Sequence, residues 1–250
     1  MGESFGLLRL VNLLLGSILT RLYEAVGLSP ADAAEHVARI NGVFVLELIV
    51  AALLILFFVA VRASLSVENP GGLQHVAEML HETIGGLADQ VIGHGYQRFQ
   101  AFVTCVGVFI LLNNLIGLLL GLIPGLVTPT SEPEIPLAIA VLTFVYYNFH
   151  GVRVNRAGYI KQFLGPLPWL APLMILIEII SHLARILSLT VRLYANMYAS
   201  DLLVLVSFSL IPVLIPVGLL VLHAFVSLVQ AFVFMLLAMI YLSMAVAHEH

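Results

Sequence analysis

From Leu173 to Ile211 the chain runs for 39 residues, mostly apolar, without a glycine or a proline. As one helix this stretch would be roughly 58 Å long at 1.5 Å per residue. The hydrocarbon core of a bilayer is only about 30 Å thick. Such a helix cannot stand upright in a membrane. It must tilt well beyond the usual ~20° or break without an ordinary breaker. Pro212, Pro216 and Gly218 then predict a turn, and Val217 to Ala247 forms a second long apolar stretch, roughly 46 Å as a helix. The pattern predicts a C-terminal hairpin of two long, strongly tilted membrane helices.

Composition excludes a water-soluble alternative. Of 250 residues 61% are hydrophobic and 10% are charged, against about 25% charged in a soluble domain. So few charges cannot cover a soluble surface of this size. Disorder, nucleic-acid binding and most soluble enzyme chemistry are excluded with it. The fold class is an all-α integral membrane protein. A net charge of −4 argues against a polybasic surface anchor. The single cysteine, Cys105, cannot form an internal disulfide and alone makes no metal site.

The remaining chain reads as one membrane domain over 1–250. Residues 5–20 carry a signal-like apolar run, but Glu3 precedes it and no small-x-small cleavage site is clear. Spaced leucines with Arg9 and Asn12 predict an amphipathic, interfacial N-terminal segment within 1–41. About three upright spans occupy 42–165: Gly42–Val61 with Glu47 near one end, Phe99–Ile123, and Ile135–Phe149, extended towards Val154. Between the first two, Val76, Met79, Leu80, Ile84, Leu87 and Val91 recur at helical spacing. They predict a cytoplasmic amphipathic helix over 73–97. Asn113 and Asn114 are expensive at membrane depth and are expected to bond a neighbouring helix. Pro124–Pro136 holds four prolines and is expected to be a loop. Arg153, Arg156 and Lys161 crowd the next loop, which the positive-inside rule places in the cytoplasm. The amino terminus then lies outside, and after five spans the carboxyl terminus lies in the cytoplasm.

Residues 163–247 hold four charges: Glu178, Arg185, Arg192 and Asp201. At mid-membrane each costs about 2.5–3.5 kcal/mol even on a lenient scale. Four in one helix cost ~10 kcal/mol before pairing, comparable to a whole folding free energy. Glu178, Arg185 and Arg192 fall within roughly 40° of one another on a helix, whereas Asp201 lies about 180° from Arg192. His182 follows Glu178 by four, and Asn196 follows Arg192 by four. On the second helix His223, Ser227 and Gln230 share a face. Carboxylate and imidazole groups relay protons near neutral pH, and arginine does not. The layout suits two proton paths divided by a fixed positive charge. No acid lies three or four positions from Arg192, so its partner is expected on another helix or another chain.

Blander roles remain open at this level. Glu178 and Arg185 could form a structural ion pair, and His223 could be a hydrogen-bonded core histidine. The same charges would also serve a stand-alone carrier or a membrane scaffold. Two features weaken these. There is no internal repeat of the kind carriers use, and the acids are separated around an unpaired arginine.

The segment SLTVRLYANMYASDLL (Ser188–Leu203) and the stretch LHAFVSLVQAFVFMLLAMIYLSMAVAHEH resemble the signature and last helix of subunit a of the bacterial F-type (F1Fo) ATP synthase. The motif R-L-x-x-N-M-Y-A, followed on the next helix by His and Gln seven apart, is highly specific. The resemblance covers about the last 85 residues closely and the earlier spans in layout. It implies a non-catalytic subunit of a rotary ATPase in the bacterial inner membrane, without cofactor, metal or nucleic acid. Its partners would be a c ring, peripheral-stalk b subunits, the F1 sector and lipid. It places the essential arginine on Arg192. Asp201, His223 and Gln230 would line an outer half-channel. Glu178, Asn196, Ser181 and His182 would line a cytoplasmic one. Two departures stand out. Asp201 is one methylene shorter than the usual glutamate, so its reach to His223 is expected to be bridged by water. The Asn114–Pro124 region is longer than the family pattern.

Overall fold

The computed structural model describes residues 20–21, 29–66, 70–120, 129–155, 171–210 and 214–246. Among them the fold is all-helical: α1 (Pro30–Ala63), α2 (Gly72–Ile92), α3 (Gln97–Leu120), a 3₁₀ turn η1 (Pro129–Ser131), α4 (Glu134–Asn155), α5 (Ala171–Leu210) and α6 (Leu214–Val246). Among the described residues five stretches are long and apolar enough to cross a membrane: Leu46–Ala63, Gln97–Leu118, Glu134–Asn155, Ala171–Phe208 and Pro216–Val246.

α6 is the hub, packing against α2, α3, α4 and α5. Its buried residues Ala231, Phe234, Met235, Ala238, Met239, Leu242 and Ala245 recur three and four apart, the stripe of one helical face. Ala231, Ala238 and Ala245 are small enough to let neighbouring backbones approach. On α3, a Cβ added at Gly107 would come 3.0 Å from Met235 Sδ. Two apolar clusters result. One joins α2, α3, α4 and α6 through Ile84, Phe99, Tyr147 and Met239; the other joins α3, α4, α5 and α6 through Ile110, Ile139, Leu193 and Phe234.

α5 is one unbroken 40-residue helix, roughly 60 Å long. The length anomaly is therefore met without a break. Its outward face exposes Leu183, Leu187, Val191, Leu202 and Leu205, side chains that only lipid or another apolar surface would suit. The Phe and Met residues of α6 divide: Phe234, Met235 and Met239 pack inward, and Phe225, Phe232 and Met244 face out.

Several boundaries differ from those expected. Pro216 and Gly218 do not form a turn; they lie inside α6, which begins at Leu214. Proline is compatible there because first-turn N–H groups have no intrahelical acceptor. Pro212 is outside the described residues. α1 begins at Pro30, twelve residues before Gly42, with proline again at a helix start. α2 ends at Ile92, five residues short of position 97, because Gly93 and Gly95 take positive φ (77° and 88°), which few other residues tolerate. Only the second half of the α2 stripe packs. Ile84 is buried and Leu80, Leu87 and Val91 join the core, while Val76 and Met79 are exposed. The expected loop Pro124–Pro136 contains η1 and the start of α4. The N-terminal segment 5–20 apart from Thr20, together with Arg156 and Lys161, lies outside the described residues.

Candidate functional site

The long α5–α6 pair carries two polar clusters, and α5 alone spans both. Glu178 and Asp201 are 23 positions apart, roughly 35 Å along a helix. Arg192 stands between them.

At the Asp201 end, three elements converge. η1 supplies Ser131, whose hydroxyl donates to Asp201 Oδ2 at 2.5 Å, within the range for a hydroxyl on a carboxylate. α6 supplies His223, almost wholly buried, with Nδ1 3.8 Å from Asp201 Oδ1. That gap is too long for a direct hydrogen bond and agrees with the shorter reach of aspartate. One and two turns on, Ser227 and Gln230 continue the same buried face of α6. Ser227 Oγ lies 3.9 Å from Met197 Sδ. Its carbonyl accepts a long 3.5 Å contact from Asn114 Nδ2. Gln230 Oε1 accepts a 2.9 Å hydrogen bond from Asn196 Nδ2.

At the Glu178 end, His182 Nε2 lies 3.4 Å from Glu178 Oε1, the i,i+4 relationship expected on one helix face. The other imidazole nitrogen is 3.0 Å from the Tyr147 hydroxyl of α4. Arg185 lies over the Tyr241 ring at 5.4 Å, a cation–π distance. Glu178 therefore pairs with His182 and not with Arg185 among the described residues, which removes the structural ion pair considered above. Ser181 is half-buried on the same helix.

Arg192 is exposed. Among the described residues no side chain bonds or ion-pairs with it. Leu189, Leu193 and Met197 around it turn inward, so the guanidinium lies on a flank of α5 that no other described element covers. Ser188, Ala195 and Ala199 are exposed on the same flank. No group of three or more metal-ligating side chains occurs among the described residues.

The expected site residues thus fall into two clusters and one isolated charge. Glu178 and His182 come together as their spacing implied, and Asp201 and His223 as the resemblance implied. Asn196 does not join the Glu178 cluster. It follows Arg192 by one turn towards Asp201, and its amide reaches across to Gln230. Ser131, Tyr147 and Tyr241 were missed. They belong to other elements, and their spacing to α5 carries no local signal. Asn113 and Asn114 do bond neighbouring helices: Asn113 donates to Glu47 of α1 at 3.0 Å, and Asn114 reaches α6.

This arrangement has relatives. A sequence model described as the ATP synthase A chain matches residues 44–243. The chain belongs to the ATP synthase A chain family. It is 48% identical over 214 residues to ATP synthase subunit a of Koribacter versatilis, covering 85% of this chain and 86% of that protein. It is 44% identical to ATP synthase subunit a of Solibacter usitatus, covering 82% and 87% respectively. Against ATP synthase subunit a of Citrifermentans bemidjiense it is 40% identical over 229 residues, covering 92% and 94%. With five apolar spans, this member of the ATP synthase A chain family is a multi-pass membrane protein.

Proposed function

We propose that the chain is the stator subunit of the proton-translocating Fo sector of a rotary ATP synthase, in a bacterial inner membrane. It offers two offset half-channels to a ring of c subunits, each bearing one membrane carboxylate. Protons reach the ring through the outer cluster of Asp201, His223 and Gln230. They leave, after the ring has turned, through the cytoplasmic cluster of Glu178, Ser181, His182 and Tyr147. Asn196 belongs with the outer cluster by its bond to Gln230. The chain itself catalyses no bond chemistry; it couples proton flow to rotation. Peripheral-stalk b subunits and the F1 sector complete the assembly. The amino terminus lies outside and the carboxyl terminus in the cytoplasm, as the basic loop at 153–161 implies.

Arg192 carries the proposal. A guanidinium at membrane depth without a partner among the described residues is too costly to be idle, and it does not release its proton. A ring carboxylate arriving deprotonated would be held by it and could not pass a proton directly between the two paths. The exposed small residues Ser188, Ala195 and Ala199 beside it allow another helix to approach closely. The separation of the two clusters supports the offset paths, since no polar bridge joins them along this flank among the described residues.

The test is ATP-driven proton pumping by inverted vesicles holding the intact complex. Arg192→Ala should abolish pumping while the soluble sector, once detached, still hydrolyses ATP. Full pumping by Arg192→Ala, or isolation of the chain as a functional monomer, would contradict the proposal.

A further inference from the structure

Glu47 takes no part in either cluster described above, yet it is 9% exposed and lies in the apolar span Leu46–Ala63 of α1. Its Oε2 accepts a 3.0 Å hydrogen bond from Asn113 Nδ2. Its Oε1 is buried and has no bonding partner. Among the described residues no basic side chain bonds to it.

Glu47 is the first member of a longer series. Asn113 Oδ1, Asn114 Oδ1, Thr130 Oγ1, His223 Nε2 and Gln230 Nε2 are also buried without a partner. The elements that carry these atoms pack against one another. Glu47 bonds Asn113, its neighbour Asn114 reaches the carbonyl of Ser227, and Ser227 lies one turn from both His223 and Gln230. From the other side, η1 packs against α1, α3 and α5, carrying Thr130 and presenting Ser131 to Asp201. Each unsatisfied buried polar atom costs about 1–3 kcal/mol. A protein that only needed α1 to pack on α3 would avoid this cost with apolar side chains. Buried polar atoms with spare bonding capacity are what holds buried water.

We propose that Glu47 is a proton-carrying group in the outer path, at the far end of a buried polar belt that runs through Asn113, Asn114 and η1 to Asp201. This rests on the reading of Asp201 and His223 as the outer half-channel. The transfer is a simple relay. The O–H bond of the Glu47 carboxyl breaks, bridging water passes a proton along the belt, and an O–H bond forms on the Asp201 carboxylate. Glu47 then takes a proton from water on the outer side. Asn113 suits this role because its neutral amide holds the carboxyl in place without fixing its charge, as an arginine would.

The test uses intact complex in vesicles, with co-purification of the c ring as the check of assembly. Glu47→Gln keeps the shape and can still accept from Asn113, but it cannot carry a proton. It should slow pumping at least about five-fold. Glu47→Asp keeps the carboxyl and should retain most of the rate. Wild-type pumping by Glu47→Gln overturns the inference, as does equal slowing by both variants. A second arm does not depend on pumping. With the sole cysteine removed (Cys105→Ala), Glu47→Cys should react with a small hydrophilic thiol reagent added outside, much faster than Leu53→Cys on the exposed apolar face of α1. Equal reaction rates overturn the inference. Arg192→Ala in the same vesicles separates the two proposals: if it pumps normally, the rotary reading fails; if only Glu47→Gln does, the belt alone fails.

Discussion

Asn196 of α5 donates a 2.9 Å hydrogen bond to Gln230 of α6, one helical turn from Arg192. The bond ties the two long helices together at the level of the arginine. The bond uses the amide hydrogens of Asn196 and the amide oxygen of Gln230. Arg192 is left on the uncovered flank of α5 while its neighbours Leu193 and Met197 pack inward. A short polar tie thus fixes the position of a charge that it never touches.

This tie should be measurable. A double-mutant cycle with Asn196→Ala and Gln230→Ala is expected to give a coupling energy of about 0.5–1 kcal/mol, typical of a side-chain hydrogen bond between membrane helices. Thermal unfolding of the purified complex in detergent would report it. Additivity of the two variants would show that the bond does not hold the helices.

Asp201 should depend on being ionisable more than on its length. Asp201→Asn is expected to slow proton uptake from the outer side by ten-fold or more. Asp201→Glu should be tolerated, since the longer side chain shortens the 3.8 Å gap to His223. Ser131→Ala removes one hydrogen bond and should cost about 1 kcal/mol of stability with a smaller loss of rate. Initial rates of ATP synthesis driven by an imposed proton gradient check all three.

Lysine should be a poor substitute for Arg192. Its ammonium is a compact, strongly hydrated charge that can lose its proton, whereas guanidinium stays charged and forks towards a carboxylate. Arg192→Lys should lose most ATP-driven pumping while the c ring still co-purifies. Wild-type coupling in this variant would mean that any positive charge suffices.

On the opposite side, Tyr147→Phe removes the hydroxyl that lies 3.0 Å from His182 Nδ1. Release of protons to the cytoplasm should slow several-fold, with outer-side uptake unchanged. Comparing the dependence of gradient-driven ATP synthesis on proton concentration on each side separates the two effects. A change on the outer side instead would misplace Tyr147.

Packing predicts one purely structural effect. A Cβ at Gly85 would lie 2.7 Å from Gln100 Nε2, the atom that donates to the His81 carbonyl at 2.6 Å. Gly85→Ala must displace this buried amide and should destabilise the α2–α3 contact by about 1–3 kcal/mol. The yield of assembled complex should fall. Unchanged yield and melting temperature would show that Gln100 has room to move.

The long hairpin was legible from the length of two apolar runs, and the isolation of Arg192 and the Glu178–His182 pair from helical spacing. Glu178 and His182 are four apart on one helix, so their contact needs no tertiary knowledge. Asp201 and His223 required only that the hairpin close. What could not be read came from other elements. Ser131 sits in a segment whose four neighbouring prolines suggested only a loop, yet it folds back onto Asp201. Tyr147 looked like one aromatic among many in its span. The resemblance groups Asn196 with Glu178, yet its position along the helix axis, nearer Asp201, gives it Gln230 of α6 as its bonding partner. Pro216 misled in the opposite sense, since a breaker in the first turn of a helix breaks nothing.

A density map of the intact complex, locating the neighbour of Arg192, tests the central claim most directly. The guanidinium should lie within about 4 Å of a carboxylate of the c ring, or hold it through a single water, with Ser188, Ala195 and Ala199 against the ring helix. A map in which Arg192 faces lipid, or pairs with an acid of its own chain, would contradict the account.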